Sequence, residues 1–266
     1  MTVPKRIATI IINALKCGFA PRIGLPYITV GRETGITALL HDVDISAAGG
    51  ATFRFISGKY GSGKSFLLQT MRGYVMDRNF VVADADLSPE RRLQGTKGQG
   101  LATYKELISN LSTKTRPEGG ALDLILDRWL TNIQKEAVDE MGPAFDDPAF
   151  SKLVESRIYD VISSLNEMVH GFDFARLLAL YYRAYLAGDN EGKAKVIKWF
   201  RGEYATKTEA KGELGVNIII TDDDWYEYIK LFAMFLRRAG YEGLVIMIDE
   251  LVNIYKIPNS ITRQYN

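Results

Sequence analysis

Two groups of residues in this chain have types and spacings that could do phosphate chemistry. The first is Gly58-Lys59-Tyr60-Gly61-Ser62-Gly63-Lys64-Ser65, a complete G-x-x-x-x-G-K-[ST] phosphate loop. Its glycines let the backbone turn tightly enough for successive N–H groups to face an anion, at the positive end of the helix that follows. Lys64 would reach the β- and γ-phosphates, and the Ser65 hydroxyl would be an Mg2+ ligand. Gly58, Tyr60, Gly61, Ser62, Gly63 and Phe66 would complete the nucleotide contacts. The second group lies far downstream, where Gly243-Leu-Val-Ile-Met-Ile-Asp249-Glu250 sets two adjacent acids after five consecutive apolar residues. Asp249 would hold the Mg2+ shell, directly or through water. Glu250 beside it would orient and deprotonate a water that attacks the γ-phosphate. Each group has a bland alternative: a chance glycine-rich turn, and a strand that ends in solvated acids. Their co-occurrence favours binding of a nucleoside triphosphate.

These residues need a strand and a helix to hold them. Thr52-Phe-Arg-Phe-Ile-Ser57 reads as a short strand leading into the loop, and Phe66-Leu-Leu-Gln-Thr-Met71 has helical spacing after it. The apolar run before Asp249 predicts a parallel strand covered on both faces. Its acids then stand at the carboxyl end, where open α/β sheets place their ligands. Asn79-Phe-Val-Val-Ala-Asp-Ala-Asp86 predicts another strand. The next segment, Leu87 to Gly100, is rich in turn formers. Its Arg91, Arg92 and Lys97 would contact phosphate or a partner, against the more usual role of a solvated loop.

Most of the rest predicts helices. The N-terminal stretch Ile7 to Cys17 and the stretch Ile36 to Val43 have helical periodicity, as do Leu101–Leu111 and Ala121–Met141. Gly142-Pro143 and Asp147-Pro148 break the pattern, and Ser151 reads as the N-cap of a helix through Val169. Asp173–Ala187, Glu191–Tyr204 and Asp224–Ala239 follow. Tyr181, Tyr182 and Tyr185 fit a helical core better than a base-stacking stripe. Asp222-Asp223-Asp224 fits a cap on the Trp225 helix better than a metal site. His41 and His170 have no metal-ligand spacing.

Composition bounds the class. With 266 residues, 47% of them hydrophobic, the chain can bury a substantial core. The net charge of +1 gives no global field toward nucleic acid or membrane. The single Cys17 excludes an intramolecular disulfide framework, fits a reducing, cytoplasmic setting, and reads as a small buried hydrophobe. No apolar run approaches the roughly 20 residues of a membrane span.

Tyr27-Ile-Thr-Val-Gly-Arg-Glu33, upstream of the loop, resembles the motif with which STAND and origin-recognition-type ATPases begin. In those families the turn packs against adenine. The resemblance implies that Val30 lines a base pocket, that Gly31 lets the backbone approach the ring, and that Arg32 and Glu33 fix the turn. A plain strand-to-helix turn fits the letters equally well. The whole chain resembles the P-loop ATPase family associated with BREX phage-exclusion systems. The resemblance rests on Gly18-Phe-Ala-Pro-Arg-Ile-Gly-Leu25, Val30–Glu33, Arg54–Ser65, Asp86-Leu-Ser-Pro-Glu-Arg-Arg-Leu93, Trp199-Phe-Arg-Gly-Glu203, and Gly240 through Glu250.

That resemblance implies an AAA-like α/β P-loop NTPase with a parallel-sheet core and a large helical insertion between the Walker A and Walker B strands. Residues 1–100 would begin the core, 101–240 form the insertion, and 241–266 carry the Walker B strand and the start of the next helix. It implies ATP and Mg2+ as ligands, and DNA and other defence-system proteins as candidate partners. A homo-oligomer is the candidate assembly of a longer form. The family's division also carries a further strand, between the phosphate-loop strand and the acidic strand, with a γ-phosphate-sensing polar residue. No residue here carries over for that sensor, a second sensor or an arginine finger, so the expectation is weak turnover without a longer chain or a partner. Two other classes stay open. One is a nucleotide switch with negligible hydrolysis. The other is a small-molecule phosphotransferase, which direct pairing of the Thr52 and Leu244 strands would favour and the second acid disfavours.

Overall fold

The computed structural model describes residues 3–18, 21, 24–95, 97–143 and 147–266. Phe19, Ala20, Arg22 and Ile23 of the family stretch, and Thr96 of the turn-rich segment, lie outside the described residues. Helix α1 (Lys5–Lys16) is followed by a 3-10 turn (Leu25–Tyr27), α2 (Glu33–Ala47), α3 (Lys64–Asp77) and β1 (Val81–Asp86). Then come α4 (Gln99–Ser109), α5 (Leu122–Met141), α6 (Pro148–Leu165), α7 (Gly171–Leu186), α8 (Asn190–Phe200), α9 (Lys207–Leu214) and α10 (Trp225–Arg238). The chain returns through β2 (Leu244–Asp249) to the short helices α11 (Val252–Tyr255) and α12 (Ser260–Gln264).

β1 and β2 pair in parallel, with Val81 opposite Leu244 and Asp86 opposite Asp249. The helices from α4 to α10 therefore form one long crossover between two neighbouring strands, which parallel pairing requires. β1 is the fully sandwiched strand, and its side chains divide the core with the period of two that a strand imposes. Val81, Ala83 and Ala85 pack on the helical body, while Val82 packs with Leu67, Met71 and Val75 of α3. In the helical body, Phe174, Phe200, Phe232 and Phe235 meet ring to ring around Trp129, Trp199 and Tyr228. Each Phe removed from water here contributes about 1.5–3 kcal/mol.

Two strand expectations are corrected. Residues 52–57 form no strand, and Phe53 and Phe55 are 82% and 73% exposed. No described strand lies beside this segment, so its backbone has no ladder to join. Its pairing with β2, the arrangement that would favour a phosphotransferase, is not formed. β2 is also less covered than its five apolar residues predict. Only Met247 is buried and Ile246 is 38% exposed, because β1 is its only partner strand among the described residues.

Smaller differences trace to capping. The helix expected from Ser151 starts at Pro148, where the Asp147 carboxylate accepts from the Ala149 N–H at 2.8 Å and proline occupies the first turn. The helix expected to reach Tyr204 stops at Phe200, and Gly202 takes a left-handed turn at φ +68°. Thr206 then caps α9, which the apolar spacing does not announce. Of the three aspartates, Asp222 accepts from the N–H groups of Gly98 and Leu101 and so caps α4. Asp224 accepts from Thr221 and makes no side-chain cap bond to α10. Cys17, expected to be buried, is exposed at the end of α1. Tyr181 and Tyr182 are core, as read. No helix among the described residues is long and apolar enough to cross a membrane.

Candidate nucleotide-binding site

The phosphate loop begins at Gly58 and ends as the N-terminus of α3 at Lys64. Two of its glycines meet a backbone requirement. Gly61 and Gly63 sit at φ +75° and +81°, a region that costs other residues about 1–2 kcal/mol. A Cβ on Gly58 would stand 2.5 Å from the Ser62 hydroxyl. The loop closes on itself through Ser62 N–H to the Lys59 carbonyl, and Leu67 N–H takes the Gly63 carbonyl as the first bond of the helix. Lys64 folds back along the loop, its ammonium donating to the carbonyls of Gly58 and Lys59 at 3.1 and 3.2 Å.

The decisive contact joins residues 184 positions apart. The Ser65 hydroxyl donates to a carboxylate oxygen of Asp249 at 2.7 Å. α3 packs on both strands, and this brings its first turn to the carboxyl end of β2. A hydroxyl and a carboxylate held this close are hard oxygen donors suited to Mg2+, which usually takes one or two protein oxygens and keeps several waters. The donor set therefore fits the ion. Among the described residues there is no cluster of three or more His, Cys, Asp or Glu that would hold a metal by protein ligands alone.

Glu250 follows directly, exposed, and in the left-handed region at φ +57°. Its N–H donates to the other Asp249 oxygen at 2.8 Å. Asp249 is thus shared between the Ser65 hydroxyl and the backbone of the residue that would act as base.

The upstream turn is placed beside the loop through one side chain. Arg32 crosses to the phosphate loop and donates through its guanidinium to the Ser62 carbonyl. A Cβ on Gly63 would stand 2.8 Å from the same guanidinium. Val30 is 84% exposed, and nothing lies within 4 Å of the position a side chain would take on Gly31. Tyr60 is fully exposed and Phe66 is partly buried. The structure thus brings Arg32, Ser62, Gly63, Lys64, Ser65, Asp249 and Glu250 to one end of the sheet. It leaves Val30, Gly31 and Tyr60 open at the rim.

The family model of the BREX system ATP-binding protein BrxC/D matches residues 3–266. The chain belongs to that family. No curated protein and no solved structure matches it. BREX is a phage-defence system, so this BrxC/D family member is an ATP-binding protein of phage defence, and family membership implies a P-loop-like fold.

Two arginines that support this BrxC/D site have partners that the sequence does not announce. Arg72, on α3, forms an ion pair with Asp84 of β1 and donates to the Ser112 hydroxyl and, at 2.7 Å, to the Pro117 carbonyl. It fixes the phosphate-loop helix to the strand and to the connection after α4. Arg91 of the D-L-S-P-E-R-R-L stretch donates to the Asp86 carbonyl at 2.8 Å and reaches Glu106 of α4. Arg72 carries no motif, and the sequence leaves Arg91 between a phosphate or partner contact and a solvated loop; the partners of both are set by the fold.

Proposed function

We propose that this protein hydrolyses ATP and couples that step to a conformational or assembly event on DNA in BREX defence. The observation that carries the reading is the Ser65–Asp249 contact, which joins the phosphate loop to the acidic strand. In this reading the N–H groups around Gly61–Ser65 cradle the phosphates, with Gly58, Tyr60 and Phe66 at the edges. Lys64 exchanges its loop carbonyls for β- and γ-phosphate oxygens. Ser65 and Asp249 hold Mg2+, which when bound neutralises charge on those oxygens. Glu250, the catalytic residue, accepts a proton from the attacking water and orients it. Val30, Gly31 and Arg32 form the base-side wall once the nucleotide is seated, with Arg32 bracing the loop.

The coupling half of the proposal is supported by Arg91, which ties the end of β1 to α4 and so to the helical region. The nucleotide end and the helical body share β1, and a shift at Asp249 has a short path into α4.

The test is single-turnover and steady-state ATP hydrolysis with Mg2+, with and without DNA, for wild type and Glu250→Gln. Loss of turnover with retained Mg·ATP binding in Glu250→Gln supports the reading. Turnover that is insensitive to Glu250→Gln sinks the base assignment. Tight binding with no turnover in the wild type, alone and in complex with its defence partners, would make the chain a nucleotide switch.

A further inference from the structure

The strained backbone at Glu250 is held by a small ring of hydrogen bonds, and one side chain closes it. Glu250 N–H donates to the Asp249 carboxylate at 2.8 Å, and the Glu250 carbonyl accepts from Asn253 N–H at 2.9 Å. The Asn253 side-chain amide then crosses to β1 and donates to the Leu87 carbonyl at 2.7 Å. Leu87 N–H returns to the Asp249 carbonyl at 3.1 Å. Lys256 donates to the Asn253 side-chain oxygen at 3.0 Å, so both ends of that amide are satisfied. The turn is buttressed from below, where Ile257 is buried and Ile254 packs with Leu87 and Ser88 around a tight gap.

A non-glycine residue in the left-handed region persists only where its surroundings over-determine it. Asn253 is the side chain that does so from the β1 side. Without its bond to Leu87, α11 keeps its local turn bonds and the apolar support of Ile254 and Ile257 but loses its side-chain hydrogen bond to the end of β1, and Glu250 is freer to relax toward ordinary φ values.

We infer that Asn253 is a positioning residue for hydrolysis. It holds the Glu250 turn against the end of β1, so that the Glu250 backbone keeps its place on the Asp249 carboxylate. The inference rests on the reading of Glu250 as the base, but it assigns Asn253 no contact with nucleotide. Its role depends on the amide N–H donor, not on bulk.

The experiment compares wild type, Glu250→Gln, Asn253→Leu and Asn253→Gln in the same Mg·ATP assay, with amide hydrogen exchange over residues 249–256. Leucine keeps the branched shape, at a somewhat larger volume, and removes the donor; glutamine restores a donor on a longer arm. Asn253→Leu is expected to lower kcat about 10²-fold, the scale of an ångström-sized misplacement. KM for ATP should stay within about twofold, because ground-state binding is untouched. Asn253→Gln should recover part of kcat, and amide exchange at 250–255 should be faster in the leucine variant. Wild-type kcat in Asn253→Leu, while Glu250→Gln is inactive, would overturn the positioning role and leave the base assignment standing. Turnover insensitive to Glu250→Gln would instead overturn the base assignment. A wild type that turns over no ATP, alone or with its defence partners, would overturn the proposal together with the base assignment, and unchanged protection at 250–255 in Asn253→Leu would overturn the proposal alone.

Discussion

The helical body and the nucleotide end of this molecule are built to different standards. Between α4 and α10, large rings such as Trp129, Trp199, Phe174, Phe232 and Phe235 are almost wholly buried and packed on one another. At the nucleotide end, Val30, Phe53, Phe55, Tyr60 and Tyr255 face solvent, the lead-in to the phosphate loop has no partner strand among the described residues, and the second acid sits in a strained turn. Stability is concentrated where the helices are, and adaptability where the ligand must enter. Ligand-binding segments are drawn from the low-stability part of a structure because they must move or be completed on binding.

The largest test of this contrast is core truncation. Trp199→Ala or Phe232→Ala should cost about 3–5 kcal/mol, read as a fall in urea midpoint, because each leaves a cavity in a close-packed ring cluster. Next comes pH. Burial pushes the hydroxyls of Tyr104, Tyr181, Tyr204 and Tyr228 upward, all of them in the helical body, and Tyr181 is also held neutral by its bond to Asp127. Each is neutral when folded and freer to ionise when unfolded. Their contribution is therefore complete below the ordinary tyrosine value and is lost as pH climbs through and above about 10. Urea midpoints measured at pH 8 and above pH 10 should show the fall, and a flat profile would contradict it.

Tyr181→Phe should cost less, about 1.5 kcal/mol. It deletes one bond to a carboxylate, but Lys193 still pairs with Asp127 at 2.9 Å. The smallest effect belongs to the other region. Phe53→Ser together with Phe55→Ser should change stability by about 0.5 kcal/mol or less, because these rings touch mainly each other, 4.8 Å apart and edge-on. A large loss there would mean that the lead-in segment is part of the core, and the contrast between the regions would fail.

How much of this was legible in the sequence follows the same divide. The helices of the body announce themselves through apolar spacing, as at Leu122, Ile125, Leu126, Trp129, Leu130 and Ile133, all buried on one face. Their ends are less legible, because caps such as Asp147 and Asp189 are short-range features that look like other loop aspartates. Asp222 shows the limit: it caps a helix 124 residues away in sequence, a pairing no local pattern encodes. The phosphate loop and Asp249-Glu250 stand out in the sequence because the chemistry proposed for them demands fixed letters. Their meeting was an expectation that the Ser65–Asp249 contact meets geometrically. The Thr52–Ser57 strand was misread because β-rich letters specify a strand only where a neighbour supplies the ladder. Arg72 and Asn253 were silent because their partners are backbone carbonyls and side chains brought near by folding.

The central claim is that Gly58–Ser65 and Asp249 form one Mg·ATP site. The measurement that tests it most directly is titration calorimetry of Mg·ATP into wild type and Lys64→Ala, with thermal melting of both proteins without nucleotide. Lys64 is partly exposed and bonds only to loop carbonyls, so the variant should fold as the wild type does. The account predicts that wild type binds Mg·ATP and that Lys64→Ala loses most of that affinity at a nearly unchanged melting temperature, since the deleted charge acts on the phosphates when nucleotide is bound and on exposed loop carbonyls otherwise. Wild-type affinity in a folded Lys64→Ala protein would contradict it.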